Sequence, residues 1–429
     1  MNESKPFTPG KRSTATHPAM RAVLLALVVS PLAIFYSVYL TDYKTKPVAR
    51  TAWVSWHDDP MHAVYIGWET PTGILCSVRY GIDPGNLNMT KNEPISATFH
   101  SVNLTGLTPD TVYYYRVETP GGVYASGRFR TAPVIYAPFT CMFTADTQPK
   151  FGPGWYEHLA NIVNTKDYSF LAMVGDMVED GTKDEWNYFH TVGSKYYDTV
   201  PLVPVRGNHD RPRDLDDDEG TPDTYYFASY FPQSVDAAMN ENPYDKYQQF
   251  YFSFNWSSVH FQVLHFPEVD LDDEGDGGLS LRDYHQAFTT DHLTWLEQDL
   301  NRSRAMPFRV SMFHCPITSA GFYGENYVMK EQLLPILHRY NVTATFSGHA
   351  HHFERGTLVN RTHYPDNPLT YFVVGTGGGL ADVGLRPVPE TTICTASPSY
   401  TEMAATATTL TFTTYGFDGT VIDTITIRA

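Results

Sequence analysis

Five short segments of this sequence end in residue types that bind metal ions. Phe139 to Ala145 leads into Asp146-Thr147-Gln148, Phe170 to Val174 into Gly175-Asp176, and Leu202 to Arg206 into Gly207-Asn208-His209-Asp210. Phe308 to Phe313 then leads into His314, and Val342 to Ser347 into Gly348-His349-Ala350-His351. A Gly-Asp pair alone means nothing, and a lone strand histidine is usually a satisfied core residue. Gly-Asn-His-Asp, by contrast, is expected by chance at only about one in 10⁵ positions. Carboxylate, amide and imidazole donors together suit two borderline metal ions, such as iron, manganese or zinc, better than a thiolate site would. A carboxylate can bridge two cations at the roughly 3.5 to 4 Å spacing of two-metal hydrolases, and Asp176 is the candidate bridge. Such a pair acidifies a shared water; the hydroxide attacks phosphorus in line while both cations stabilise the charge developing on the phosphoryl oxygens.

The elements must bring these side chains together. Ligands in α/β sheets gather beyond the carboxyl ends of strands, so the five apolar runs are expected as adjacent strands opening on one crevice. Glycine before Asp176, Asn208 and His349 permits a sharp turn and close approach. From Ala137 onward apolar strands alternate with helical stretches. Asp291 is placed to cap a helix carrying Leu293, Leu296 and Leu300, and Tyr327 to Tyr340 offers another, kinked or ended by Pro335. Thr409 to Ile427 reads as a terminal hairpin around Asp418-Gly419. Ahead of all this, Thr51 to Pro133 holds short β-branched and aromatic strands, such as Ala63 to Trp68 and Thr111 to Val117, and is expected to be an all-β sandwich acting as a spacer or lid.

Length and charge narrow the classes. At 429 residues the chain exceeds one ordinary core, and two folded units plus a tail are expected. A formal charge of -17 repels polyanions and argues against nucleic acid as a partner. A small phosphorylated substrate would then need local positive charge, which metal ions can supply. Ala22 to Leu40 is uncharged and mostly apolar, near the roughly 20 residues of a spanning helix. With no clear cleavage site it is read as a signal anchor, leaving a membrane-anchored, extracytoplasmic catalytic region, or a secreted protein if the segment is removed. Sequons at Asn88, Asn103, Asn255, Asn301, Asn341 and Asn360 agree with export. The four cysteines, Cys76, Cys141, Cys315 and Cys394, form no zinc pattern and are expected as buried free thiols.

In its five motifs the sequence resembles the calcineurin-like metallophosphoesterases, and more closely the purple acid phosphatase group. Gly348 to Arg355, Gly-His-Ala-His-His-Phe-Glu-Arg, is similar to that group's Gly-His-x-His followed by an aromatic and Glu-Arg. Leu104 to Tyr115 resembles a fibronectin type III corner, in which a tyrosine bonds back to upstream backbone, and matches the group's N-terminal domain. The resemblance implies a four-layer α/β/β/α sandwich over residues 134–429 and a fibronectin III-like domain over 46–133; the tail with the anchor, over 1–45, lies outside it. It implies one metal held by Asp146, Asp176 and His351 and another held by Asp176, Asn208, His314 and His349. His209 would face the substrate as an acid or clamp, with Asp210 orienting its ring and raising its pKa.

Two departures follow. Purple members carry an iron-binding tyrosine three residues after the bridging aspartate; here Glu179 stands there, so a colourless enzyme is expected. Many relatives carry a histidine two residues after the first aspartate; here it is Gln148. Gln148 and Glu179 are therefore candidate ligands completing the first site. The implied activity is phosphomonoester hydrolysis. Phosphodiester cleavage, or a non-catalytic surface module with a decayed site, are the alternatives. No Gly-x-Ser-x-Gly elbow supports serine catalysis. The acidic runs Asp214 to Glu219 and Asp270 to Glu274 read as solvated loops, Gly375 to Gly379 as a tight turn beside the site, Cys315 as packing, and His352 as an unliganded pocket residue. Oligomeric state and natural substrate have no signature in the sequence.

Overall fold

The computed structural model describes residues 51–57, 59–134, 136–148, 154–196, 198–210, 225–231, 250–265, 288–360, 363–379, 381–382 and 384–429. The apolar run Ala22 to Leu40 and both acidic runs lie outside them. Among the described residues no helix is long and apolar enough to cross a membrane.

Among the described residues seven strands precede residue 131: β1 (Ala52–Ser55), β2 (Ala63–Ile74), β3 (Ser77–Gly81), β4 (Met89–Asn92), β5 (Ala97–Thr105), β6 (Val112–Thr119) and β7 (Gly122–Arg130). β4-β3-β6-β7 form one antiparallel sheet, and β1, β2 and β5 face it. Val78 and Val117 of the small sheet share a core with Trp68, Val102 and Leu104 of the other. At the corner before β6, the Tyr113 hydroxyl accepts a 3.0 Å hydrogen bond from the Thr108 amide.

β1 does not stop at this sandwich. It pairs in parallel with β10 (Leu202–Val205) through Ser55 and Leu202, extending a nine-stranded sheet of order β20-β19-β18-β8-β9-β10-β1-β2-β5. Here β8 is Phe139–Thr144, β9 Leu171–Val174, β18 Ser399–Ala405, β19 Thr409–Gly416 and β20 Val421–Arg428. The last two form the expected terminal hairpin. A second sheet of seven strands has the order β11-β12-β13-β14-β16-β15-β17. It comprises β11 (Phe252–Trp256), β12 (Val259–Val263), β13 (Phe308–Met312), β14 (Ala344–Ser347), β15 (Phe353–Asn360), β16 (Tyr364–Val374) and β17 (Thr391–Thr395).

The expectation of five adjacent strands is thus corrected. β8, β9 and β10 lie side by side in one sheet, whereas β13 and β14 lie in the other. The inner faces of the two sheets meet: the Phe143 ring stacks on Phe346 at 3.8 Å, and the Phe372 ring lies 4.9 Å from that of Phe412. Each such aromatic pair contributes about 0.5–1.5 kcal/mol beyond its buried area. The four-residue runs of β9 and β10 are buried throughout, as parallel strands covered on both faces must be.

Helices cover the outer faces. Along β1, Ala52, Val54 and Trp56 point to the core between the sheets, while Trp53 points out and stacks on His190 of helix α2 (Lys183–Gly193) at 4.2 Å. α2 packs with α1 (Gly154–Val163). A short α3 (Tyr225–Tyr230) lies over β5. On the other sheet, Trp295, Leu296 and Leu300 of α4 (Thr290–Arg302) and Ile336 and Leu337 of α5 (Leu334–Arg339) pack on Leu264, Phe313 and Tyr371. α4 is capped by Thr289, whose hydroxyl accepts from His292 N at 3.1 Å, rather than by Asp291, which sits in the first turn where its charge suits the helix dipole. The 327–340 segment opens with a wide π turn over Met329–Leu333 before α5, with Pro335 in the first turn of α5, where a missing N–H does no harm.

Candidate metal centre

All five strand ends point their following residues to one place. Asp146 follows β8, Asp176 follows β9, Asn208 to Asp210 follow β10, His314 follows β13, and His349 and His351 follow β14. Asp146, Asp176 and His349 adopt left-handed backbone, with φ of 52°, 54° and 65°. Such conformations cost of order 1–3 kcal/mol and cluster where a ligand must be aimed. The glycines beside them are set by close approach. A Cβ on Gly207 would lie 2.2 Å from Asp176 Oδ1, and one on Gly348 would lie 2.5 Å from Asp146 Oδ2.

The donor atoms form two triads that share one residue. Asp176, His314 and His349 offer donors all within 4.8 Å of one another, and so do Asp146, Asp176 and His351. Asp176 Oδ2 lies 3.1 Å from His314 Nε2, and Asp146 Oδ1 lies 3.3 Å from His351 Nε2. Asn208 Oδ1 joins the first triad, 3.0 Å from His349 Nδ1. His314 Nδ1–H donates to the Val174 carbonyl at 2.8 Å, which fixes the tautomer and turns Nε2 toward Asp176. Burial and the neighbouring His314 push His349 down to about 3, so its ring stays neutral, as a ligand's must be. Burial opposes the charge on Asp176, but His314 and His209 overcome it and hold the carboxyl well below the usual range. Two borderline cations with a carboxylate between them fit this donor set.

The surrounding residues divide by what they touch. The Gln148 amide satisfies its hydrogen bonds when its nitrogen donates to the Asp146 and Asp176 carbonyls, at 3.2 and 2.9 Å. That assignment turns its oxygen toward His351 Nε2, 3.5 Å away. Glu179 is not in either triad; its main-chain carbonyl instead accepts from His209 Nδ1 at 2.6 Å.

Asp210 departs from its expected part. Its Oδ2 accepts from the amides of Asp176 (3.0 Å) and Gly207 (2.8 Å), and its Oδ1 from those of Met177 (2.7 Å) and Val178 (3.3 Å). It is a buried pin between two ligand loops, and the His209 ring is oriented by the Glu179 carbonyl. Beside the turn Gly375 to Gly379, Gly379 N donates to Asp146 O at 2.8 Å, so this turn braces the first aspartate. His352 is fully buried, bonded to Glu354 (3.0 Å) and Asp382 (3.3 Å). Cys315 is buried, and its sulfur accepts from Asn326 Nδ2 at 3.4 Å. All four cysteines are free thiols, of which Cys394 is only half-buried.

Tyr323 was not legible as a site residue. Its ring lies 4.1 Å from that of His349, and burial together with Asp146, Asp176 and Asp382 pushes its hydroxyl above the usual range. It forms part of the wall of the centre. Only an aromatic residue in a Gly-flanked loop marks it in the sequence.

Residues 139–353 match the calcineurin-like phosphoesterase family, half of the chain. The chain belongs to the calcineurin-like phosphoesterases. Residues 49–131 match the N-terminal domain of purple acid phosphatases. Purple acid phosphatase 21 of Arabidopsis thaliana is 25% identical over 73% of this chain and 68% of its own length. Acid phosphatase A of Cryphonectria parasitica is 25% identical over 82% of this chain and 87% of its own. Among solved structures, purple acid phosphatase PPD1 from yellow lupin superposes with a TM-score of 0.68, at 16% identity over 88% of this chain and 74% of that one. PhoD superposes at 0.63, with 13% identity over 86% of this chain and 91% of that one. At such identities the superpositions speak for the fold. With its motif residues gathered at strand ends, this calcineurin-like phosphoesterase is a metallophosphoesterase hydrolase that resembles the purple acid phosphatases.

Proposed function

We propose that this chain hydrolyses small phosphate monoesters at a dinuclear metal centre outside the cytoplasm. The observation that carries the reading is the pair of donor triads meeting at Asp176. Asp146, Asp176 and His351, with the Gln148 amide oxygen, would hold one ion, and Asp176, Asn208, His314 and His349 would hold the other. Iron, manganese and zinc all suit the donors. When bound, such a pair supplies an acidified water and neutralises charge on the phosphoryl oxygens.

The protein's own residues do the rest. His209 Nδ1 is hydrogen-bonded to the Glu179 carbonyl, and Nε2 lies on the side of the centre, 3.9 Å from Asp176 Oδ2, where it would meet a substrate oxygen. There it protonates the leaving alkoxide or clamps a phosphoryl oxygen. The His209 amide donates to Asp176 Oδ1 at 2.9 Å, linking that ring to the bridging carboxylate. The Tyr323 ring packs on that of His349, 4.1 Å away, and would hold it in place.

Purified protein stripped of metal should be inactive on p-nitrophenyl phosphate and recover with divalent ions; turnover without metal refutes the reading. His209→Gln should lower kcat by roughly 10²–10⁴ while both ions remain bound. A faster rate on bis-p-nitrophenyl phosphate than on the monoester would move the chain to diesters. Absence of bound metal after reconstitution would make it a binding module.

We further propose boundaries at 46–133 for the N-terminal domain and 134–429 for the catalytic domain, with residues 1–45 carrying a signal anchor. The uncharged run from Ala22 to Leu40 and the sequons support export. Retention in the membrane pellet after alkaline carbonate extraction is expected, and a mature N-terminus beyond residue 40 would mean secretion instead.

A further inference from the structure

Away from the dinuclear centre, three ligand-type side chains converge in the N-terminal sandwich. Cys76 lies between β2 and β3, Glu93 just past β4, and His100 on β5. Donor atoms of all three fall within 4.8 Å of one another. Cys76 is 6% exposed and His100 is 1% exposed, so water reaches neither freely.

Hydrogen bonds hold the ring from both sides. The Thr70 oxygen lies 2.7 Å from His100 Nε2, and His100 Nδ1 lies 2.8 Å from both oxygens of Glu93. The Cys76 amide holds the carboxylate from the side, donating to Oε2 at 3.0 Å. Trp68 stacks on the ring at 4.8 Å with planes 5° apart, which blocks rotation. Thiol, imidazole and carboxylate thus meet at one buried point between the sheets, and a divalent cation would use all three donors.

We propose that Cys76, Glu93 and His100 form a mononuclear metal site for a zinc-type cation, completed by one water. Thiolate, imidazole and carboxylate with a fourth small ligand make a tetrahedral zinc set. Zinc bond lengths of about 2.0–2.3 Å place tetrahedral donors about 3.3–3.8 Å apart, so ring and carboxylate separate slightly as the ion enters. The thiol proton, and any proton shared by Nδ1 and Glu93, pass to solvent on binding. Because Cys76 and Glu93 flank the small sheet and His100 sits on the large one, the ion would clip the two sheets together.

Cobalt(II) reconstitution of the whole chain tests this, because the dinuclear donor set contains no thiolate. The expected result is a near-ultraviolet thiolate-to-cobalt absorption and three ions per chain. Cys76→Ser should abolish that absorption and remove one ion. Glu93→Gln, which keeps packing and thiol, should weaken binding at least tenfold. Asp176→Asn, aimed at the catalytic pair, should leave the absorption intact. If the wild-type chain shows no thiolate absorption, or if Cys76→Ser retains both absorption and stoichiometry, the proposal is wrong and His100 with Glu93 is an ion pair.

Discussion

Asp210→Asn separates two accounts of the residue beside His209. The asparagine is nearly isosteric, so it creates no cavity, but it replaces one carboxylate oxygen with an amide nitrogen. As Oδ2 accepts from Asp176 N and Gly207 N, and Oδ1 from Met177 N and Val178 N, at least two buried amides lose their acceptor in either orientation. Each buried donor left without a partner costs about 1–3 kcal/mol, giving roughly 2–6 kcal/mol against a typical total of about 5–15. Urea unfolding followed by tryptophan fluorescence should register that loss. Metal content should fall with it, because the displaced loops carry Asp176 and Asn208. If stability changes by less than about 1 kcal/mol while both ions stay bound and the pH–rate profile moves, Asp210 acts on the His209 ring and the pinning argument fails.

Other outcomes follow from neighbouring observations. Gln148→Ala should weaken occupancy of the first ion about 10- to 100-fold, read by metal analysis at limiting metal, with the second ion retained. Protein loaded with iron should lack a visible tyrosinate band, since Glu179 stands where purple relatives carry tyrosine; a purple sample would mean that another phenol reaches the iron. His57 is buried against Tyr65 and Phe252, neither ring nitrogen has a hydrogen-bond partner among the described residues, and burial pushes it down to about 3. Its folded pKa lies below the unfolded value near 6.5, so its share of stability is present above pH 6.5 and lost as pH falls toward 3, by up to about 1.4 kcal/mol per pH unit. His57→Phe should flatten the fall in melting temperature between pH 6 and 4, and an unchanged slope would refute that.

The metal-site residue types, their strand-end positions and the glycines between them were legible because close approach and metal binding restrict residue choice. Sheet membership was not. Phe308 to Phe313, with Arg309 and Ser311 among its apolar residues, and Phe170 to Val174 both read as short strands, and nothing in either run says which of two stacked sheets it enters. Adjacency misled at Asp210: neighbours in a tight loop point apart, so the carboxylate turned to amides of its own loop and of the Asp176 loop while the His209 ring turned to the Glu179 carbonyl. Tyr323 escaped notice because its role comes from a loop folding back over His349, a contact without spacing or pattern. The cap at Thr289 rather than Asp291 is the ordinary one- or two-residue uncertainty of helix ends.

The parallel pairing of Ser55 with Leu202 has a consequence for handling this protein. Cutting ahead of residue 134 would bare the hydrogen-bonding edge of β10 and strip Trp56 from its stack on Trp256, 5.1 Å away. An orphaned edge of that kind invites aggregation. The N-terminal strands and the hydrolase half should therefore melt together in one calorimetric transition, and neither is suited to be grafted alone onto another scaffold.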